Sequence, residues 1–508
     1  EWGTFSNIHL ENFYGIEIKD FAAETARLSL YVAQFQMNQR FKENFGFAPK
    51  ALPLTEAGQI HCGNALRMDW ESVCPPVEEG ADTYICGNPP YKGSTWQTKE
   101  QKADIEAVSA GRIKLWKSLD YVAGWFLKGA DYCRDGSAKL ALVSTNSICQ
   151  GQQVPILWPL IFDMGVEIHL AHTSFKWANL ASQNAGVTVV VVGLAQKTAS
   201  RKTLMDQVTL RHVDKIGPYL IPHSEIVVVP RTNPIDRAKM VFGNKPVDGG
   251  HLILNRQEVS QSNIPAHFIR PLFGSSELIK GFPRYCIWIE NDELDEALKN
   301  PEVLKRVEAC RKLRLSSSDT GARNLSKRAH QFREMRTGAE NSIVIGAISS
   351  ENRDVLPVGI LPKRAVANNK SYVIFDEGLP VFSTIVSRLH WVWIATVCVR
   401  LEMRFSYSNT LGWNTFPLPE LTELQKEELT ARAEEILLVR ERHFPKSIAQ
   451  LYDPEAMPQD LRDAHRRNDD VLEHIYIGRP FKNDTERLEH LFKLYAKMVG
   501  DKEISHND

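Results

Sequence analysis

Two consecutive prolines halt a strand in this chain, and what they leave exposed constrains the fold more than any other feature. Asp82-Thr83-Tyr84-Ile85-Cys86-Gly87 reads as a short strand, and Asn88-Pro89-Pro90-Tyr91 follows it directly. Proline lacks a backbone N–H and fixes φ at about −65°, so the strand stops and the chain turns away at a set angle. The Asn88 side-chain oxygen and the Pro89 carbonyl are then acceptors held in place before any partner arrives. Such a pair suits an exocyclic amine. Two hydrogen bonds from an NH2 group draw its nitrogen towards tetrahedral geometry and localise the lone pair for attack on a methyl carbon. Tyr91 adds a flat ring on which a planar heterocycle can stack. Asn-Pro also opens ordinary turns, and it is the position at a strand end that favours the chemical reading.

Residues 1–200 alternate short apolar runs with helical stretches, the pattern of a doubly wound parallel α/β sheet. Phe13 to Ile18 reads as a strand ending in an acid, Glu17, and the helix after it carries Phe21, Leu28, Leu30 and Met37. Residues 92–113 read as an exposed polar loop, Lys139 to Thr145 and Gly165 to Leu170 as strands, and the valine-rich run Gly186 to Val192 as a buried final strand. Residues 201–419 change to irregular short strands with frequent Pro and Gly, a mixed α+β region. Residues 420–508 read as helical, in three runs: Leu421 to Arg440, Asp460 to Tyr476 and Thr485 to Met498.

In that order, the pieces resemble the amino-group DNA methyltransferases, and more narrowly the methyltransferase, target-recognition and C-terminal regions of MmeI-like fused restriction–modification enzymes. The markers are Tyr14-Gly15-Ile16-Glu17-Ile18, Gly63-Asn64-Ala65-Leu66, the Asn-Pro-Pro-Tyr tetrad, Ser144-Thr145-Asn146-Ser147 with Gln150-Gly151, Asn184-Ala185-Gly186-Val187 and Asn414-Thr415-Phe416-Pro417. The resemblance implies a Rossmann-like fold that uses S-adenosylmethionine to methylate adenine N6 in double-stranded DNA. It implies catalysis by Asn88, Pro89, Pro90 and Tyr91. Glu17 and Ile18 would hold the cofactor ribose, Asn64 and Ala65 its adenine edge, and Phe126 its adenine face, with Asn88 beside it; a plain core aromatic is the other reading of Phe126. A target base flipped out of the duplex would stack on Tyr91 and on Phe175 or Trp177. The family's Gly-rich turn, which cradles the methionine part of the cofactor, has no counterpart before Phe13. That turn and the family's nuclease domain are expected in an upstream segment of the same polypeptide, and cofactor binding by this chain as written is expected to be weak. A non-catalytic DNA-binding specificity fragment stays open as an alternative, as does methylation at cytosine N4, whose amine has the same geometry.

Net charge is −1, so a nucleic-acid surface must come from a local patch. Residues 301–341 supply one, with ten Lys/Arg against five Asp/Glu. Lys305, Arg306, Arg311, Lys312, Arg314, Arg323, Lys327 and Arg328 are the candidates for phosphate contact. In the family an acid and a base two residues apart read one base pair, a role that falls here on Glu402 and Arg404. Glu402 would accept from cytosine N4 while Arg404 donates to guanine O6 and N7, a pairing worth about 1–3 kcal/mol in discrimination. The eight cysteines form no CxxC pair and read as reduced thiols of a cytoplasmic protein, with no metal site. No apolar run reaches the roughly 18 residues of a membrane helix, so no membrane partner is expected.

Overall fold

The computed structural model describes residues 9–47, 58–77, 81–109, 111–176, 188–222, 225–235, 237–350, 352–401 and 404–504. The chain forms two compact units, Glu1–Val227 and Val228–Asp508.

The first unit is α/β and Rossmann-like. Strand β1 (Tyr14–Glu17) runs through helix α1 (Asp20–Phe45) to β2 (Gln59–Cys62), which pairs with it in parallel. A second sheet holds β3 (Tyr84–Gly87), β4 (Lys139–Thr145), β5 (Val166–Lys176), β6 (Thr188–Gln196), β7 (Lys202–Met205) and β8 (Leu210–Val213), in the order β3-β4-β6-β5-β7-β8. β3 is parallel to β4, and β6 lies antiparallel between β4 and β5. The sheet is therefore mixed where a parallel one was expected, and β7 and β8 carry it past residue 200, so the valine-rich strand β6 is not its last. Among the described residues β1 pairs with β2 alone and β3 with β4 alone, so each keeps one open edge.

The other helices of this unit are α2 (Trp70–Val73), α3 (Lys99–Ser109), α4 (Ala123–Cys133) and α5 (Gln153–Asp163). Asp69 caps α2 by accepting from the Glu71 N–H. α3 corrects the expectation of an exposed loop over 92–113. Its Ile105 and Val108 are buried, and Asp104 and Ser109 go in with them. Two apolar residues three apart suffice for a helix when a core lies beneath them.

In the second unit, the strands Ile253–Leu254, Arg284–Ile287, Ile269–Phe273 and Val366–Ala367 form one sheet in that order. Its core gathers Phe268, Trp288, Val303, Val307 and Phe332. A second sheet orders Val358–Pro362, Asn341–Gly346, Ser371–Phe375 and Val241–Phe242. The helices Glu423–Arg442, Gln459–Ile477 and Asp484–Ile504 end the chain, the first opened by a capping box of Thr422 and Gln425. Among the described residues no helix is long and apolar enough to cross a membrane.

Candidate active site and nucleic-acid interface

β3 and β4 point the same way, and β5 runs with them because both β4 and β5 oppose β6. The carboxyl ends of β3, β4 and β5 therefore share one edge of the sheet, where α/β folds place their ligands. The tetrad leaves β3 at that edge. Pro89 is buried and anchors the turn, while Asn88 and Pro90 are exposed. Tyr91 is half-buried, and its hydroxyl donates to Asn88 Oδ1. Burial pushes the Tyr91 pKa up, which keeps that hydroxyl a donor.

At the end of β4, Asn146 and Gln150 are buried, and their carboxamide oxygens have no hydrogen-bond partner among the described residues. Unsatisfied buried acceptors are uncommon and mark a place where a donor can be taken up. Sequence reading used these two residues as family markers and gave them no role. Phe175 is the penultimate residue of β5, half-buried and edge-on to His172 with ring centroids 4.6 Å apart. Trp177 and Asn184 lie outside the described residues.

The residues assigned to the cofactor separate. Glu17 closes β1 with an exposed carboxylate that has no side-chain partner among the described residues, a group free to take two ribose hydroxyls. Its carbonyl accepts from Gly63 N at 2.7 Å, which ties the β2 loop to the end of β1. Ile18 beside it is exposed. Asn64 fits less well. Its Nδ2 donates to Asp104 at 3.0 Å and its Oδ1 accepts from Leu66 N at 2.9 Å, so one N–H and one lone pair are what remain. Ala65 uses its carbonyl to hold the Trp70 indole N–H at 2.9 Å. Phe126 requires correction. It is fully buried on α4, packed against Trp158 at 6.1 Å, and a core ring cannot also cover a ligand. Of these residues, Glu17 is the one that leaves a charged acceptor open to a ligand.

Asp104 is a hub that the sequence did not announce. It is 5% exposed and accepts from Arg67 Nε at 2.6 Å, Tyr121 Oη at 2.8 Å and Asn64. Burial alone would raise its pKa, but these hydrogen bonds outweigh it and hold the carboxyl below its ordinary value. Burial and the Asp104 carboxylate together push the Tyr121 phenol up to about 12.

The basic stretch separates in the same way. Pro301–Leu315 is a helix, opened by Asn300 as N-cap and Pro301 in its first turn. Val303, Val307, Cys310 and Arg314 recur at helical spacing on its buried face. Arg314 is fully buried and donates to the carbonyls of Pro246, Val247, Leu325, Arg328 and Gln331 at 2.7–3.0 Å. All five of its donors are used, so it is a structural staple and cannot contact a phosphate. Arg306 pairs with Glu258 and Glu302, Arg328 binds the carbonyls of Phe332 and Arg333, and Arg323 binds those of Ser317 and Ser318. Arg311 pairs with Glu308 at 3.3 Å. Lys305, Lys312 and Lys327 are exposed and have no partner among the described residues.

Arg404 is exposed and opens the strand Arg404–Ser406, in register with Leu401 of the antiparallel strand Arg400–Leu401. Glu402 lies outside the described residues. The marker Asn414 is buried and donates to the carbonyls of Arg231 and Thr232, a packing role.

Comparison with known proteins agrees with this architecture. Residues 2–206 match the family described as MmeI, DNA-methyltransferase domain. Residues 222–420 match MmeI, target recognition domain, and residues 421–502 match MmeI, C-terminal domain. The chain belongs to the MmeI family. A solved structure of the type IIL restriction-modification enzyme MmeI in complex with DNA is similar, with a TM-score of 0.84 and 33% identity over 97% of this chain and 67% of that one. DNA methyltransferase A of Bacillus subtilis (strain 168) is 40% identical over 500 residues, which are 97% of this chain and 56% of that protein. The chain therefore spans little more than half the length of that curated relative.

Proposed function

We propose that the chain is the methyltransferase and recognition part of a site-specific restriction–modification enzyme that methylates adenine N6 in duplex DNA. The observation that carries this is Asn88, exposed one residue beyond β3 at the shared carboxyl edge. Asn88 Oδ1 and the Pro89 carbonyl accept from the target amine and localise its lone pair. Tyr91, with Phe175 at the end of β5, offers rings for the flipped base. The proton lost from the methylated amine goes to water, so no general base is required. Glu17 would hold the cofactor ribose. When bound, S-adenosylmethionine supplies an electrophilic methyl group.

Lys305, Lys312 and Lys327 would meet phosphates, and Arg404 with Glu402 would read a C·G pair. The open edges of β1 and β3 favour completion of the sheet by a further strand, from an upstream segment of the same polypeptide that carries the Gly-rich turn and the nuclease. They equally favour the second reading, a specificity fragment without catalysis of its own.

Labelled-methyl transfer to mixed-sequence DNA by the chain and by Asn88→Ala tests the proposal. The substitution is expected to cost about 2–4 kcal/mol of transition-state stabilisation with DNA affinity unchanged. Wild-type turnover in the mutant would sink the role of Asn88. DNA binding without transfer by the parent chain would favour the specificity fragment, and label at cytosine N4 would correct the target.

A further inference from the structure

The Asn88 acceptor is useful only if the tetrad keeps one shape, and the chain fixes that shape from both sides. Upstream, Gly87 is held in register with Leu142 of β4. Pro89 and Pro90 then set their own φ and restrict the residues before them, Asn88 and Pro89. The soft torsions left lie around Tyr91. Downstream, the backbone of Lys92 is held at both its ends. Its N–H donates to Asp120 Oδ1 at 3.0 Å, and its carbonyl accepts from Tyr121 N at 3.0 Å and Gln97 Nε2 at 2.9 Å.

Asp120 is itself held on several sides. It is 7% exposed, and the same Oδ1 accepts from Val122 N at 3.2 Å. Gln153, the first residue of α5, accepts from the Asp120 N–H at 3.0 Å and donates to the Ser118 carbonyl at 2.8 Å. This carboxylate has no cationic partner among the described residues. Burial raises its pKa, and the backbone donors of Lys92, Val122 and Tyr121 oppose that shift. Burying an acid without a counter-ion costs stability, and here backbone amides, that of Lys92 among them, offset the cost in place of a cation.

Resting on the methyl-transfer reading of Asn88, we propose that Asp120 is a positioning residue for the reaction, a clamp on Lys92 that holds the Asn88 acceptor and the Tyr91 ring in their working geometry. Asp120 touches neither substrate nor cofactor. It acts on the rate through the backbone of the tetrad, because a catalytic group displaced by even about 1 Å can lose about 100-fold in rate.

The test compares Asp120→Ala with Asp120→Asn in the full chain, because Asn keeps an Oδ1 that can accept both amides. Hydrogen exchange over residues 88–97 and the kinetics of methyl transfer to DNA are measured together. Asp120→Ala is expected to speed exchange in that segment and to lower kcat by about 10- to 100-fold, with KM for DNA unchanged. Asp120→Asn is expected to stay within about threefold of wild type in kcat and to keep slow exchange. Faster exchange with unchanged kcat would overturn the positioning role. So would unchanged exchange in Asp120→Ala, or equal losses in both variants accompanied by equal falls in Tm. If the parent chain transfers no methyl group, the reading of Asn88 falls, and the exchange contrast between the two variants still supports or overturns the clamp.

Discussion

Helices α1 and α4 each cross between strands of the first unit, yet they are held very differently. α1 has 26 residues and buries Ala23 alone, whereas α4 has 11 and buries eight. α4 packs on α3, β4 and β6, while α1 rests on β1 and β2. Phe21, Leu28, Phe35 and Met37 of α1 are all more than half exposed. The apolar residues of a helix say what it is able to bury, and the elements around it decide what it does bury. Asp104 joins the two regions. It binds Asn64 and Arg67 from the loop after β2, and Tyr121 from the turn that leads into α4.

The largest effect should come from the dense side. Phe126→Ala empties a fully buried site and should cost about 3–5 kcal/mol in urea unfolding. A loss below about 1 kcal/mol would place that ring outside any core and erase the contrast.

Asp104→Asn should cost about 1–3 kcal/mol, since an amide cannot accept all three of its hydrogen bonds. It should also speed hydrogen exchange in the loop after β2. The pH dependence has a definite sign. The folded carboxyl lies below its ordinary value, so its contribution is present above the unfolded pKa and is lost as pH falls through the folded one. Acid below about pH 4 should weaken the wild type through this link, a component of the acid sensitivity that Asp104→Asn lacks.

The smallest effects belong to α1, where Phe21→Ser and Phe35→Ser should each stay within about 0.5 kcal/mol. A loss above about 1 kcal/mol in either would show that this face of α1 is covered in solution, and the comparison would break.

How much of this was legible follows the same division. β4 was readable to the residue, Lys139 to Thr145, because the apolar run Leu140 to Val143 follows the turn signal Asp135-Gly136. The tetrad was readable because Pro-Pro ends a strand in only one way. Asp104 and Asp120 were not. Each is a single acid in or near a stretch that reads as a polar loop, and its partners lie as far as 40 and 33 residues away. Phe126 was open to two readings because an aromatic residue on an amphipathic helix looks the same whether it meets a ligand or a core, and its burial decides for the core. Arg314 carried a usable signal, since it continues the helical spacing of Val303, Val307 and Cys310, but counting charges passes over it.

The burial of Arg314 has a consequence for ion release. A protein that neutralises phosphates on duplex DNA displaces about 0.9 counterion for each one, and its affinity falls with salt accordingly. Eight cations acting together would give a log–log slope of about −7, whereas Lys305, Lys312 and Lys327 alone give about −3. A salt titration of DNA binding, compared between the parent chain and one with these three lysines changed to glutamine, should lose about three units of slope. A steep slope remaining in that variant, about −4 instead of near zero, would mean that the arginines leave their present partners to reach the duplex. The salt sensitivity of this region is set by which way the helix faces, a quantity that no count of basic residues contains.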